Sequence, residues 1–251
     1  MPEADAKSGD NCPMDIPKVS RASWEKFPDV VIVAEEKSVK AHPSYMSAKT
    51  GNAAAAKLLA AAFVDTRTLD GLRALADGRR VLFAPVHAIE AQGINRIPGV
   101  FAQLLAERLE SDVAVDIIQA NVVSHTGASG WQRMARPPIF DGPIRAASEY
   151  ILVDDFVGQG GTLANLRGYL ASGGGVITGA VTLTGKGYSA KLALEPSTLQ
   201  HLRDKHGQQL ETWWQQTFGY NLDRLTESEA RYLLRAENFD TIRARLLEAG
   251  S

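Results

Sequence analysis

The chain of 251 residues has a single cysteine, Cys12, which excludes an intrachain disulfide framework and a multi-cysteine zinc site. It also lacks a basic excess. With 27 Lys and Arg against 29 Asp and Glu, the net charge is −2, which speaks against a general role on nucleic acid or at a membrane surface. No apolar run reaches the roughly 20 residues that a membrane-spanning helix needs. The first twenty residues carry acids and no long apolar core, so they do not read as a signal peptide. Residues 1–22 are expected to be a flexible tail, and the chain to be cytoplasmic. There are no internal repeats, and no lysine falls between Lys57 and Lys186.

What remains is an ordinary globular composition, 45% hydrophobic and 22% charged. Apolar, β-branched runs at 30–34, 81–86, 113–118, 151–155 and 176–183 read as strands. Helical patterns fall at 47–63, 69–76, 97–109 and 163–171. Strand-helix alternation of this kind predicts a right-handed parallel α/β sheet with ligands at the carboxyl ends of its strands. Residues 23–188 are the expected α/β core. After Gly187 the pattern turns helical, so 189–251 are expected to form a helical extension packed on that core. Thr226-Glu227-Ser228-Glu229 has the form of a capping box.

The most informative stretch is YILVDDFVGQGGTL at 150–163. A buried strand ends in two adjacent carboxylates, Asp154 and Asp155, and a glycine-rich turn then opens a helix. Such a turn aims backbone N–H groups at a phosphate, aided by the helix dipole. Adjacent acids repel one another unless a ligand or metal uses them. The combination suits a sugar phosphate.

These residues resemble the phosphoribosyl-pyrophosphate (PRPP) motif of type I phosphoribosyltransferases. The resemblance covers residues 80 to 185 and implies the type I α/β fold, with N-terminal hood elements over the acceptor. It also implies transfer of 5-phosphoribosyl from PRPP to a nitrogenous base or amine, with release of pyrophosphate. Asp154 and Asp155 would hold the ribose hydroxyls, and Gly158, Gln159, Gly160, Gly161 and Thr162 the 5′-phosphate. Val86, His87 and Ala88 stand at the pyrophosphate loop, and Gln92-Gly93-Ile94-Asn95 looks like an element of competence-associated members. The long segment 121–148 stands where the family has a closing loop. Arg133 and Arg136 in it are the catalytic cation candidates, and Tyr45, Lys49 and Lys186 are acceptor contacts. Mg²⁺ would be held mainly by substrate, with no metal cage in the protein. The partners implied are PRPP and a small-molecule acceptor, with no nucleic acid and no membrane, in a possible homodimer.

Two departures stand out. The loop positions that are often Thr-Thr in the family are Gly158-Gln159. The 6-oxopurine branch carries a general-base Asp where this chain has Gly158, which disfavours hypoxanthine- or guanine-type chemistry. A PRPP- or nucleotide-sensing module without catalysis is therefore the alternative, and a sugar-phosphate hydrolase a third class. Trp213, Trp214, Phe218 and Tyr220 read as packing residues. Arg231, Arg235, Arg243 and Arg245, interleaved with glutamates, read as a solvated helix face.

Overall fold

The computed structural model describes residues 16–87, 89–90, 93–121 and 128–250. Ala88, Gln92 and Cys12 lie outside the described residues. In chain order the first elements are β1 (Val31–Glu35), α1 (Glu36–Ala41), α2 (Tyr45–Lys49), α3 (Ala53–Phe63), α4 (Thr66–Ala76) and β2 (Val81–Pro85). Two short strands follow, β3 (Ile89–Glu90) and β4 (Gly93–Ile94), then α5 (Ile97–Leu109), β5 (Asp112–Val113) and β6 (Ile118–Gln119). Next come α6 (Gly130–Ala135), β7 (Phe140–Asp141), β8 (Glu149–Val157), α7 (Gly161–Ser172) and β9 (Val176–Gly185). The chain ends in α8 (Pro196–Phe218), α9 (Glu227–Leu234) and α10 (Phe239–Gly250).

The expected parallel α/β sheet is present: five strands in the order β1-β9-β8-β2-β5, every neighbouring pair parallel. Its central strands are buried on both faces, which is why they read as continuous apolar runs rather than as alternation. Side chains still alternate between faces. Val81, Phe83, Ile151 and Val153 pack into one core beneath α3 and α5. Leu82, Ala84, Tyr150 and Leu152 pack into another beneath α7. Among the described residues no helix is long and apolar enough to cross a membrane.

Several boundaries differ from expectation for identifiable reasons. The helix expected over 47–63 is two helices, because Gly51 takes φ 111° and the Asn52 side chain caps α3 by accepting from the Ala55 N–H at 2.9 Å. Of the strand expected over 113–118, only Asp112–Val113 joins the sheet, and Ile118–Gln119 pairs instead with Phe140–Asp141. The described part of the long segment contains α6, started by a capping box of Ser129 and Gln132.

The tail reading changes at its C-terminal end. Ile16 and Arg21 are both 6% exposed. The strand of chain at Ser20–Arg21 crosses α7 so closely that a Cβ on Gly168 would lie 2.0 Å from the Ser20 carbonyl oxygen. Arg21 bridges to Glu229 of α9 at 2.7 Å and donates to the Asn165 side chain of α7 at 2.7 Å. One buried arginine thus ties the N-terminal segment, the helix after the motif and the C-terminal helices together.

Candidate functional site

The motif strand is longer than its sequence suggests. β8 runs on to Val157, so both acids lie inside it, Asp154 opposite Thr182 of β9. Consecutive strand residues point to opposite faces. Asp155 is therefore on the α2–α5 side, where Lys49 of α2 meets it at 2.8 Å and Asn95, just before α5, hydrogen-bonds it. Asp154 is on the α7 side, where Arg133 of α6 is its charged neighbour. Both acids are buried, 7% and 8% exposed, and both line one cleft over the carboxyl end of the sheet.

Their surroundings drive the two carboxyls apart. Burial, then repulsion from Asp155, pushes the Asp154 carboxyl well above its ordinary value. Burial opposes ionisation of Asp155 too, but Lys49 and hydrogen bonds from its neighbours outweigh it and hold that carboxyl below its ordinary value.

After Val157 the chain turns through Gly158-Gln159-Gly160. Gly160 takes φ 78° and caps α7, and a Cβ there would lie 2.3 Å from a Leu192 methyl. The first turn of α7 then presents N–H groups that have no intrahelical acceptor. Gly158, Gln159 and Thr162 line the large cleft, while Gly160 and Gly161 line a small recess behind it, of about 40 Å³, which Arg133 and Asp154 also touch. The turn is held from the C-terminal side by the Thr226 hydroxyl, which donates to the Gln159 carbonyl at 2.6 Å.

The cleft has a volume of about 680 Å³. Tyr45, Lys49, Lys186, Arg133 and Val86, all expected from sequence, line it. Lys186 is paired with Glu36 at 2.5 Å, and Val86 is pinned by its N–H to the Val153 carbonyl at 2.8 Å. Two candidates are placed elsewhere. The His87 ring packs against Gly99 of α5, with its Nε2 buried and without a hydrogen-bond partner among the described residues, and burial followed by nearby Arg96 lowers its pKa. Arg136 caps the end of α6, exposed and away from the cleft lining.

Other lining residues were not singled out as site residues. In sequence Asn95 stands out only as part of a motif. Glu36 and Gln119 carried no signal. The largest omission is α9, which contributes Ser228, Arg231 and Tyr232, together with its C-cap residue Arg235. Its arginines sit i,i+4, and that spacing, with the capping box ahead of it, was the available sign of a shared face. Trp131 of α6 meets Tyr232 edge-on at 4.9 Å between ring centroids, bringing the two helices together above the motif turn. Six cations (Lys40, Lys49, Arg133, Lys186, Arg231, Arg235) thus surround three carboxylates (Glu36, Asp154, Asp155) in a chain of net charge −2. A cleft so lined attracts a polyanion.

No family model matches the chain. Protein TraN of Escherichia coli is 38% identical over 92% of this chain, and the chain covers 52% of it. An uncharacterized protein of Haemophilus influenzae is 38% identical over 60% of this chain, which covers 34% of it. The chain therefore spans about half or less of the length of these curated relatives. Among solved structures, an adenine phosphoribosyltransferase is similar at a TM-score of 0.37 and 15% identity, over 55% of this chain and 74% of that one.

Proposed function

We propose that the cleft binds PRPP and that the protein is a phosphoribosyltransferase, passing the phosphoribosyl group to a nitrogenous base or amine with release of pyrophosphate. The supporting observation is that Asp154, Asp155, Arg133 and the turn residues Gly158, Gln159 and Thr162 meet in one cation-rich cleft. Asp154 and Asp155 would accept from the ribose hydroxyls, and the N–H groups at the start of α7 would hold the 5′-phosphate. Lys49 would yield Asp155 to the ribose and remain near it as a counter-charge. Arg133 would stabilise the charge that grows on the departing pyrophosphate.

Mg²⁺ keeps most of its waters and leans on substrate phosphates. The two acids fit that role. When bound, Mg²⁺ would supply neutralisation of pyrophosphate charge.

The test is PRPP titration together with a pyrophosphate-release screen over bases and amines. Asp154→Asn with Asp155→Asn should abolish both signals while the fold persists, and unchanged turnover in that double variant would reject the assignment. A sensing role without transfer is the second reading. It is favoured by the placement of His87 and Arg136 away from the cleft, which leaves Arg133 as the arginine beside the acids. PRPP binding with no release across the panel would select it.

A further inference from the structure

The sheet order gives the cleft two different sides. β8 carries the acids, with β2 on one flank and β9 on the other. The β2 flank ends in Val86, where the pyrophosphate reading falls. The β9 flank runs into Lys186 and a short helical turn, Gly187–Ser189, and it is joined to α9 by Ser189 and Ser228, whose hydroxyl oxygens are 3.1 Å apart. Tyr188, Arg231, Tyr232 and Arg235 therefore form one wall, across the acids from the pyrophosphate side.

That wall is built for recognition by side chains. Tyr188 is 65% exposed although it lines the cleft, so its ring is open to a stacking partner. Arg231 is held through its Nε by the almost fully buried Glu227 at 2.7 Å, which leaves its two terminal nitrogens to donate elsewhere. Glu227 is itself held by the Glu195 N–H and the Thr198 hydroxyl. Arg235 lies one turn further along the same face and has no ion-pair partner among the described residues. Two like charges at i,i+4 disfavour the helix slightly. A position near the helix C-terminus partly offsets that for Arg235 but does not direct it to the cleft.

Resting on the PRPP reading, we propose that α9 and Tyr188 form the acceptor subsite, and that the acceptor is a planar aromatic acid. Its ring stacks on Tyr188, and its carboxylate is clamped by Arg231 and Arg235. Arginine suits this role because its planar fork matches a carboxylate in two parallel hydrogen bonds. The hood residues Tyr45 and Lys49 then close the ribose side rather than select the acceptor, consistent with Lys49 lying on Asp155.

The experiment is equilibrium titration of the full chain at physiological salt, with and without saturating PRPP and Mg²⁺. The ligands are three acids (orotate, nicotinate, anthranilate) and their neutral counterparts (uracil, nicotinamide, aniline). At least one acid should bind about tenfold or more tighter than its counterpart. Arg235→Gln should remove about tenfold of that preference, Arg235→Lys should restore part of it, and PRPP affinity should change less than about twofold. Equal binding within every pair, or no binding of any acid at millimolar concentration, overturns the proposal. So does a preference that survives Arg235→Gln, or an equal loss of PRPP affinity, which would assign the arginines to the pyrophosphate. If PRPP itself fails to bind the wild-type chain, the PRPP reading falls, whereas an Arg235-dependent acid preference measured without it would still establish the anion site.

Discussion

The two flanks of β8 solve recognition in different ways. On the β2 flank the described lining is uncharged, with Val86, Asn95 and Gln119, and what it offers a ligand is chiefly backbone and amide. On the β9 flank the lining is charged and aromatic, with Lys186, Tyr188, Arg231 and Arg235. Backbone groups recognise what every substrate of a class shares, such as phosphate oxygens. Side chains distinguish one acceptor from another. The first flank comes from segments that precede the motif in the chain, the second from the residues just after β9 together with the C-terminal helix α9.

The largest test of this contrast removes the tie between α9, α7 and the N-terminal segment. Arg21→Met leaves Glu229 buried and unpaired, and should cost about 3–5 kcal/mol in chemical denaturation. A loss below about 1 kcal/mol would mean that the β9-side wall stands without that arginine. Next, Gly160→Ala combines a positive φ with a clash on Leu192 and should cost about 1–3 kcal/mol, again by denaturation. It should weaken PRPP binding while sparing acid binding by α9, and equal losses in both would blur the two flanks.

Smaller still is Asp154→Asn, expected to raise stability by on the order of 1 kcal/mol while removing PRPP binding. The sign follows from linkage. The folded-state pKa of Asp154 lies above its unfolded value, so the folded chain holds a proton that the unfolded chain has released. Stability therefore falls as pH rises from the ordinary carboxylate range through the raised value, and the asparagine variant should lose that slope. PRPP binding, which uses the ionised pair, should strengthen with pH over the same window. The smallest effect on stability is expected for exposed Arg235→Gln, within about 0.5 kcal/mol, although its effect on acid binding is large. A marked loss of stability there would make α9 a structural element first.

Much of the first flank was readable in the chain. Buried strands announce themselves as apolar runs, so Val81–Pro85 and the core of β8 were placed closely, and α5 was expected over the residues it occupies. The cluster of Asp154, Asp155, Arg133 and the glycine turn followed from a contiguous motif and its loop. Less visible was that β8 continues through both acids. A strand ending at the carboxylates and one passing through them have the same residues, and only pairing with Thr182 and Thr184 of β9 distinguishes them. The break between α2 and α3 was signalled by Gly51-Asn52 but outweighed by the alanine run beyond it.

The arginines of α9 read as a solvated face because, along one helix, a charged stripe beside glutamates looks the same whether it faces water or a ligand. By itself the sequence determined the parallel sheet, the glycine-rich turn and the pair of acids, since these rest on local patterns of burial and backbone freedom. Tertiary structure alone decided that Lys49 and Asn95 attend Asp155, that the His87 ring leaves the cleft, and that α9 enters it. Each of those placements depends on contacts between segments far apart in the chain: Lys49 on Asp155, the His87 ring against Gly99, and, for α9, the buried Arg21–Glu229 pair and the Thr226 hydroxyl on the motif turn.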